Sequence, residues 1–283
     1  MTADPSIPTK ELPSGDEIPM IGFGTWLLHD EELEEALNTA LATGYRHIDT
    51  ADAYDNDEQI GRIISEYDRE ELFLTTKVKP ADLRYESVIE ACKASLERLD
   101  TSYFDLYLVH FPNPAISLRE TLWGMATLYE EGLVRNIGVS NFDAYRLSCA
   151  QHITDVPIAV NQIEYHPLFQ QRRLVEYCFN NDVVIEAAAP LGRGEVFSDD
   201  LVTSIAEKYG KSNAQVVLRW IVERNIIPLP RSSNPAHVAE NFDILDWSLD
   251  DADRQLLDDH PRNEPVYTMP TAHWDDDYYG IVQ

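Results

Sequence analysis

Apolar residues along the chain fall into two alternating patterns. Short uninterrupted runs, such as Ile158-Ala159-Val160 and Val183-Val184-Ile185, suit strands buried on both faces. Between them lie longer stretches with helical spacing. The first carries Leu33, Leu37, Ala40 and Leu41, with Gly44 where a helix C-cap belongs. Read in this way, the pattern predicts strands at 21–26, 46–49, 72–77, 104–109, 134–139, 158–163, 183–187 and 226–229. Helices are expected at 31–43, 56–66, 85–99, 117–131, 143–151 and 172–181, then at 199–209 with 212–224, and at 235–242. Eight strand–helix units without a linker or a break in composition argue for one domain over 1–283. Their number and length suit an α/β fold of the (β/α)8 TIM-barrel type. An open doubly wound sheet is the alternative. It would more often place a GxGxxG turn after its first strand, and Gly22-Phe23-Gly24 stops short of the third glycine. The Pro-rich stretch before residue 21 predicts an N-terminal hairpin cap. A short helix is expected near 248–259, and His260–Gln283 reads as an irregular, aromatic-rich C-terminal tail over the barrel mouth.

Composition narrows the function. A hydrophobic content of 44% provides a sizeable core and argues against disorder. Fifty acidic residues against 22 basic ones give a formal net charge of -28, which would repel nucleic-acid phosphates. The excess is spread along the chain and resembles that of a halophile's cytoplasmic protein; an ordinary acidic mesophilic protein is the alternative. No run is long and apolar enough to span a membrane, and the first residues lack a secretory pattern. Cys92, Cys149 and Cys178 are scattered and imply neither a disulfide framework nor a zinc site. A cytoplasmic monomer or weak oligomer is expected.

Chemistry gathers where strands end. The run 46–49 ends at Asp49 and leads to Tyr54; 72–76 runs into Lys77; 104–109 runs into His110. Parallel neighbouring strands would bring these four side chains to one end of the barrel, where α/β folds place their chemistry. Reducing a carbonyl requires a proton for the developing alkoxide. Tyr54 can supply it, although a free phenol has a pKa of about 10. The Lys77 ammonium favours the phenolate, Asp49 can hold Lys77 charged, and His110 can orient the substrate oxygen. Singly, each has an ordinary structural reading: a helix cap, a half-buried aromatic, a surface charge, a core histidine. Four such types at matching ends of three consecutive strands make the joint structural reading weak. No HExxH, GxSxG elbow or P-loop is present.

These residues sit within a wider set: Gly22-Phe23-Gly24-Thr25-Trp26, Asp49-Thr50-Ala51 with Tyr54, Thr76-Lys77, Leu106 to His110, Gly138 to Phe142, Asn161 to Pro167, and Pro190-Leu191-Gly192. In this set the chain resembles the aldo-keto reductases over nearly its whole length. The resemblance implies a (β/α)8 barrel, NADPH-dependent reduction of aldehydes, ketones or sugars, and a tetrad of Tyr54 as acid with Lys77, His110 and Asp49. It also implies cofactor contacts from Thr25, Ser140, Asn141, Gln162, Leu191, Gly192, Arg231, Ser232, His237, Glu240 and Asn241. Trp26 and Phe111, with Tyr267 and Trp274 from the tail, would line the substrate pocket. Trp274 reads equally well as an anchor for the tail, and Trp123, inside 117–131, as packing. Two positions depart from the family pattern. Ala188 stands where an aromatic usually stacks on the nicotinamide, so that platform is missing or comes from elsewhere. His237 replaces an arginine near the 2′-phosphate, which softens the expected preference for NADPH and makes NADH a usable second cofactor. A barrel kept as a cofactor-sensing or structural subunit is the alternative function.

Overall fold

The computed structural model describes residues 7–267. The hairpin comes first, β1 (Thr9–Glu11) against β2 (Glu17–Pro19). Eight strands follow, each parallel to the next: β3 (Gly22–Gly24), β4 (His47–Asp49), β5 (Phe73–Val78), β6 (Leu106–Val109), β7 (Ile137–Ser140), β8 (Ile158–Glu164), β9 (Val184–Ala188) and β10 (Ile227–Pro228). Helices α1 (Asp30–Thr43), α2 (Asp57–Ile64), α3 (Tyr85–Leu99), α4 (Leu118–Glu130), α5 (Ala144–Ile153) and α6 (Arg172–Asn180) cross between the first seven strands. The pair α7 (Asp200–Tyr209) and α8 (Asn213–Glu223) precedes β10. After β10 come α9 (Pro235–Phe242) and α10 (Asp251–Asp258). The fold is the (β/α)8 barrel read from the apolar pattern. No helix among the described residues is long and apolar enough to cross a membrane.

The barrel is nearly closed, and its seam has a covalent cause. Leu229 donates to Ala187 O on the β9 side at 3.1 Å, so its flanking residues face β3. Both flanking residues are prolines, Pro228 and Pro230, and have no N–H to offer. A backbone hydrogen bond bridges the gap: Gly24 donates to Pro230 O at 3.0 Å. Prolines confine the last strand to two residues although the apolar run spans 226–229. The runs at 104 and 134 also outreach the ladder. Phe104 and Val134 meet only as an isolated bridge, and both are buried below the regular strands.

Alternation along each strand sorts the side chains. One set packs outward beneath the helices, with Leu74, Tyr107, Val109, Ile137, Val139, Ile163, Ile185 and Ala187 in the main core. The inner set begins apolar: Phe73, Leu106, Val160, Val184 and Ile227 pack with Leu12, Ile18 and Met20 of the hairpin, which plugs the barrel base. Further up, inner positions turn polar: His47 and Asp49 on β4, Thr75 and Lys77 on β5, Gln162 on β8, Glu186 on β9, all buried. Gly22 makes room for this layer. A Cβ there would lie 2.6 Å from His47 Nδ1 and 2.5 Å from Leu229 Cδ2.

Residues after α10 run along the β8–α6 connection. Glu264 donates to Leu168 O at 3.0 Å, and the Val266 amide donates to Glu164 Oε1 at 2.6 Å. This tether delivers Tyr267 to the barrel mouth.

Candidate active site

Asp49 is the last residue of β4 and Lys77 the fifth of β5, so both reach the C-terminal end of the barrel from inside. Lys77 is fully buried and uses all three donors. They run to Asp49 Oδ2 at 2.7 Å, to the Thr50 carbonyl at 2.9 Å and to the Tyr54 hydroxyl at 3.4 Å. Tyr54 ends a single 3-10 turn, Asp52–Tyr54, closed by Asp55 in the left-handed region (φ 53°). Arg98 of α3 pins this turn, reaching Asp52 at 2.6 Å and Asp57 at 2.9 Å. Asn56 ties the same loop to the segment after β3 through the Thr25 and Leu28 carbonyls, at 3.0 and 3.1 Å. His110 follows β6 directly. Its ring meets Tyr54 edge to face, centroids 5.7 Å apart, and stacks on Phe111 at 4.9 Å.

Burial is the largest influence on the electrostatics of these groups. Burial opposes the Lys77 ammonium, but Asp49, Tyr54 and Glu186 outweigh it and hold Lys77 above its ordinary pKa. Burial pushes the Tyr54 phenol up, and Lys77 offsets only part of that rise. The lysine's pull expected from the sequence is present, yet desolvation exceeds it. His110 is held well below its ordinary value, first by burial and then by Lys77, and is therefore neutral.

A cavity of about 1010 Å³ opens above these groups. Asp49, Tyr54 and His110 lie in its wall, and Lys77 lies beneath them. Ser140, Asn141 and Gln162 line it from β7 and β8. The Ser140 hydroxyl donates to the backbone carbonyl of Gln162 at 2.9 Å. Asn141, in the left-handed region (φ 62°), donates to the His110 carbonyl and to Ser140 Oγ, both at 3.0 Å. Its oxygen accepts from the Tyr267 hydroxyl at 3.2 Å. Gln162 Nε2 donates to Asp49 Oδ1 and to Glu186 Oε2, each at 2.8 Å. At the far end, Arg231, Ser232, His237, Glu240 and Asn241 line the cavity around the start of α9, which Asn234 caps through the Ala236 amide. The Arg231 guanidinium rests on the Leu27 carbonyl at 3.3 Å.

Other residues singled out from the sequence take varied places. Thr25 is fully buried and outside the cavity wall; its hydroxyl donates to the Asp49 carbonyl at 3.0 Å. Leu191 lines the cavity, and Gly192 is buried behind it with φ 54°. Trp26, Phe111 and Tyr267 stand at the mouth. Trp274 lies outside the described residues. Trp123 is half exposed on α4 beneath Arg119, away from the cavity. Ala188 lines the wall without a ring, and the Tyr267 hydroxyl reaches the amide oxygen of Asn141.

Two features of the site lie outside the expectations drawn from the sequence. Arg193 (φ 49°) lies over both the Trp26 and Tyr267 rings, at 4.9 and 5.0 Å, and straps the mouth. Glu186 sits fully buried beside the tetrad. A signal for it existed: a lone glutamate inside the apolar run Val183 to Ala189.

The donor set suits a dinucleotide. A guanidinium, a hydroxyl and a helix N-terminus lie at one end. At the other, Gln162 lines the cavity with a side-chain amide whose oxygen, unlike its backbone carbonyl, makes no hydrogen bond among the described residues. The chain is also similar to known proteins. The sequence signature of the Aldo/keto reductase family matches residues 20–262. The methylglyoxal reductase DkgA of Escherichia coli is 41% identical over 245 residues, 85% of this chain and 88% of that protein. The glyoxal reductase of Bacillus subtilis is 38% identical over 265 residues, 93% and 96% of the two chains. An aldo-keto reductase of Bombyx mori solved in complex with NADP superposes with a TM-score of 0.86 at 33% identity, over 93% of this chain and 95% of the other. This chain belongs to the aldo/keto reductase family.

Proposed function

We propose that the chain, acting as one barrel unit, reduces an aldehyde, ketone or sugar carbonyl with NADPH, with Tyr54 as the proton donor. The observation that carries this reading is Lys77: an ammonium shared among Asp49, Thr50 and Tyr54 directly under the cavity floor. NADPH, when bound, supplies the hydride. Ser140, Asn141 and Gln162 hold its carboxamide end, and Arg231, Ser232 and His237 hold its adenosine phosphate, with Glu240 and Asn241 beside the adenine. The neutral His110 donates to the substrate oxygen and orients it over Tyr54. As negative charge develops on that oxygen, the phenol proton moves to it. Lys77, held charged by Asp49, stabilises the phenolate left behind. Solvent then returns a proton to Tyr54. Trp26 and Phe111 cover the substrate with ring faces and exclude water, which strengthens each of these interactions.

Two relatives named for methylglyoxal and glyoxal make small dicarbonyls the first substrates to try. Arg231 favours NADPH, and the missing guanidinium at His237 leaves NADH usable. The net charge of -28 supports a cytoplasmic protein of a salt-rich cell, working as a monomer or weak oligomer. The test is NADPH consumption with methylglyoxal, glyoxal and simple aldoses, in dilute buffer and in molar KCl. Saturable turnover in molar KCl with at least one carbonyl class is expected; none in any of them contradicts the reading.

A further inference from the structure

Glu186 has no part in the chemistry described above, yet it is fully buried within reach of it. Its strand neighbour in register is Gln162. The two N–H groups of the Gln162 amide are both committed, one to Asp49 Oδ1 and one to Glu186 Oε2, each at 2.8 Å. Asp49 in turn holds Lys77 through its second oxygen at 2.7 Å. A continuous line therefore joins Glu186 to Tyr54 through Gln162, Asp49 and Lys77.

Two anchors fix an amide plane where one leaves it free to turn. Turning Gln162 over would set its oxygen against the Asp49 carboxylate, which is repulsive. With both N–H groups held, the carbonyl oxygen is left for the cavity that Gln162 lines. An oxygen presented in this way accepts from an N–H and cannot donate to anything.

We propose that Glu186 is a positioning residue: acting only through Gln162, it turns that amide so that its carbonyl receives the N–H of the cofactor's carboxamide. The inference rests on the cofactor placement proposed above. Groups facing Glu186 fit an acceptor that stays uncharged. On β4, Asp49 repels a second anion, and His47 lies 3.4 Å from Glu186 Oε1. Burial first, then Lys77, keep His47 neutral by lowering its pKa to about 3. On β5, the Lys77 ammonium has its donors engaged elsewhere. Gln162 is the β8 neighbour, and β10 offers only Ile227 and Pro228. Burial, and next Asp49, push Glu186 up to about 8. At neutral pH its proton can sit on Oε1 while Oε2 still accepts from Gln162.

The experiment compares wild type, Glu186→Gln and Glu186→Met by fluorescence titration with NADPH and with 2′,5′-ADP, which lacks the nicotinamide. Glu186→Gln keeps an acceptor for Gln162 and should bind NADPH within about twofold of wild type. Glu186→Met keeps the length but no strong acceptor, and should bind NADPH about five- to tenfold more weakly, the size of one neutral hydrogen bond. Its affinity for 2′,5′-ADP should be unchanged. A 3-acetylpyridine analogue of NADPH has no carboxamide N–H, so it should bind wild type and Glu186→Met equally. If Glu186→Met does not fold, Glu186→Ala gives the same comparison. Equal losses for NADPH and 2′,5′-ADP, or no loss for NADPH in an acceptor-free variant, would overturn the inference alone. Wild-type protein that binds NADPH no better than 2′,5′-ADP would overturn the nicotinamide placement as well.

Discussion

Lys77 Nζ lies 2.7 Å from Asp49 Oδ2 across neighbouring parallel strands, with the lysine fully buried and the aspartate nearly so. Such a pair is a poor source of stability but a hazard when halved. Asp49→Asn or Lys77→Met should cost about 3–5 kcal/mol, the usual penalty for stranding one buried charge. The double variant Asp49→Leu with Lys77→Met should recover most of that loss while remaining inactive. Urea unfolding of the three proteins checks this; a double variant no more stable than the singles would show that the pair contributes net stability.

Glu186 sets a pH dependence of the opposite sense to most carboxyls. Its folded value of about 8 lies above its ordinary 4.5, so the folded state binds the proton more tightly than the unfolded state does. The stability contribution is therefore full below pH 4.5 and is lost as pH rises towards 8. His47 works the other way: its value near 3 makes stability fall as pH drops from 6.5. Between pH 6.5 and 8 the slope from Glu186 acts without that from His47. Wild-type urea midpoints should decline across this window, and those of Glu186→Gln should stay nearly level. A wild-type midpoint that rises across it, or an equal decline in the variant, contradicts the buried neutral acid.

Much of this site could be read from residue types at strand ends. Asp49, Tyr54, Lys77 and His110 stand out because polar groups that leave apolar runs at matching points rarely do so by chance. Glu186 was harder, because its meaning depends on register: only the β8–β9 pairing sets it beside Gln162. The strap that Arg193 forms over the mouth is also hidden. Arg193 reaches Trp26 and Tyr267 across 167 and 74 residues of chain, and no local pattern foretells such contacts. Apolar runs overstated strands where burial outlasts the ladder, as at Phe104 and Val134, or where proline removes donors, as at Pro228 and Pro230.

Salt should matter to this chain. A net charge of -28 repels itself within a compact fold, and added ions screen that repulsion over about 10 Å at 0.1 M and about 3 Å at 1 M. Thermal melting in molar KCl should occur several degrees higher than in dilute buffer, and an equimolar neutral osmolyte should not reproduce the shift. A melting temperature that does not respond to KCl contradicts salt adaptation.

Cofactor choice should turn on the first helical turn of α9. His237 lines the cavity there but is exposed, and it lacks the forked donors of arginine. A charge-assisted hydrogen bond contributes roughly 1.5–3 kcal/mol, with the lower figure fitting an exposed site. His237→Arg should raise the NADPH:NADH ratio of kcat/KM about tenfold, mainly through NADPH, at fixed salt. Arg231→Ala should lower the same ratio by a similar factor. If Arg231→Ala weakens both cofactors equally, the guanidinium does not read the 2′-phosphate.

The most direct test of the account concerns a single hydroxyl. Tyr54 lies 3.4 Å from Lys77 and beside His110, within the wall of the cavity. Tyr54→Phe removes the hydroxyl proposed as the proton donor and leaves the ring's packing in place. Steady-state reduction of a carbonyl substrate should fall by about a hundred- to ten-thousandfold in kcat, the range expected for losing a general acid. NADPH affinity, measured on the same preparation, should stay within about twofold of wild type. A Tyr54→Phe protein that retains wild-type kcat would contradict the account at its centre.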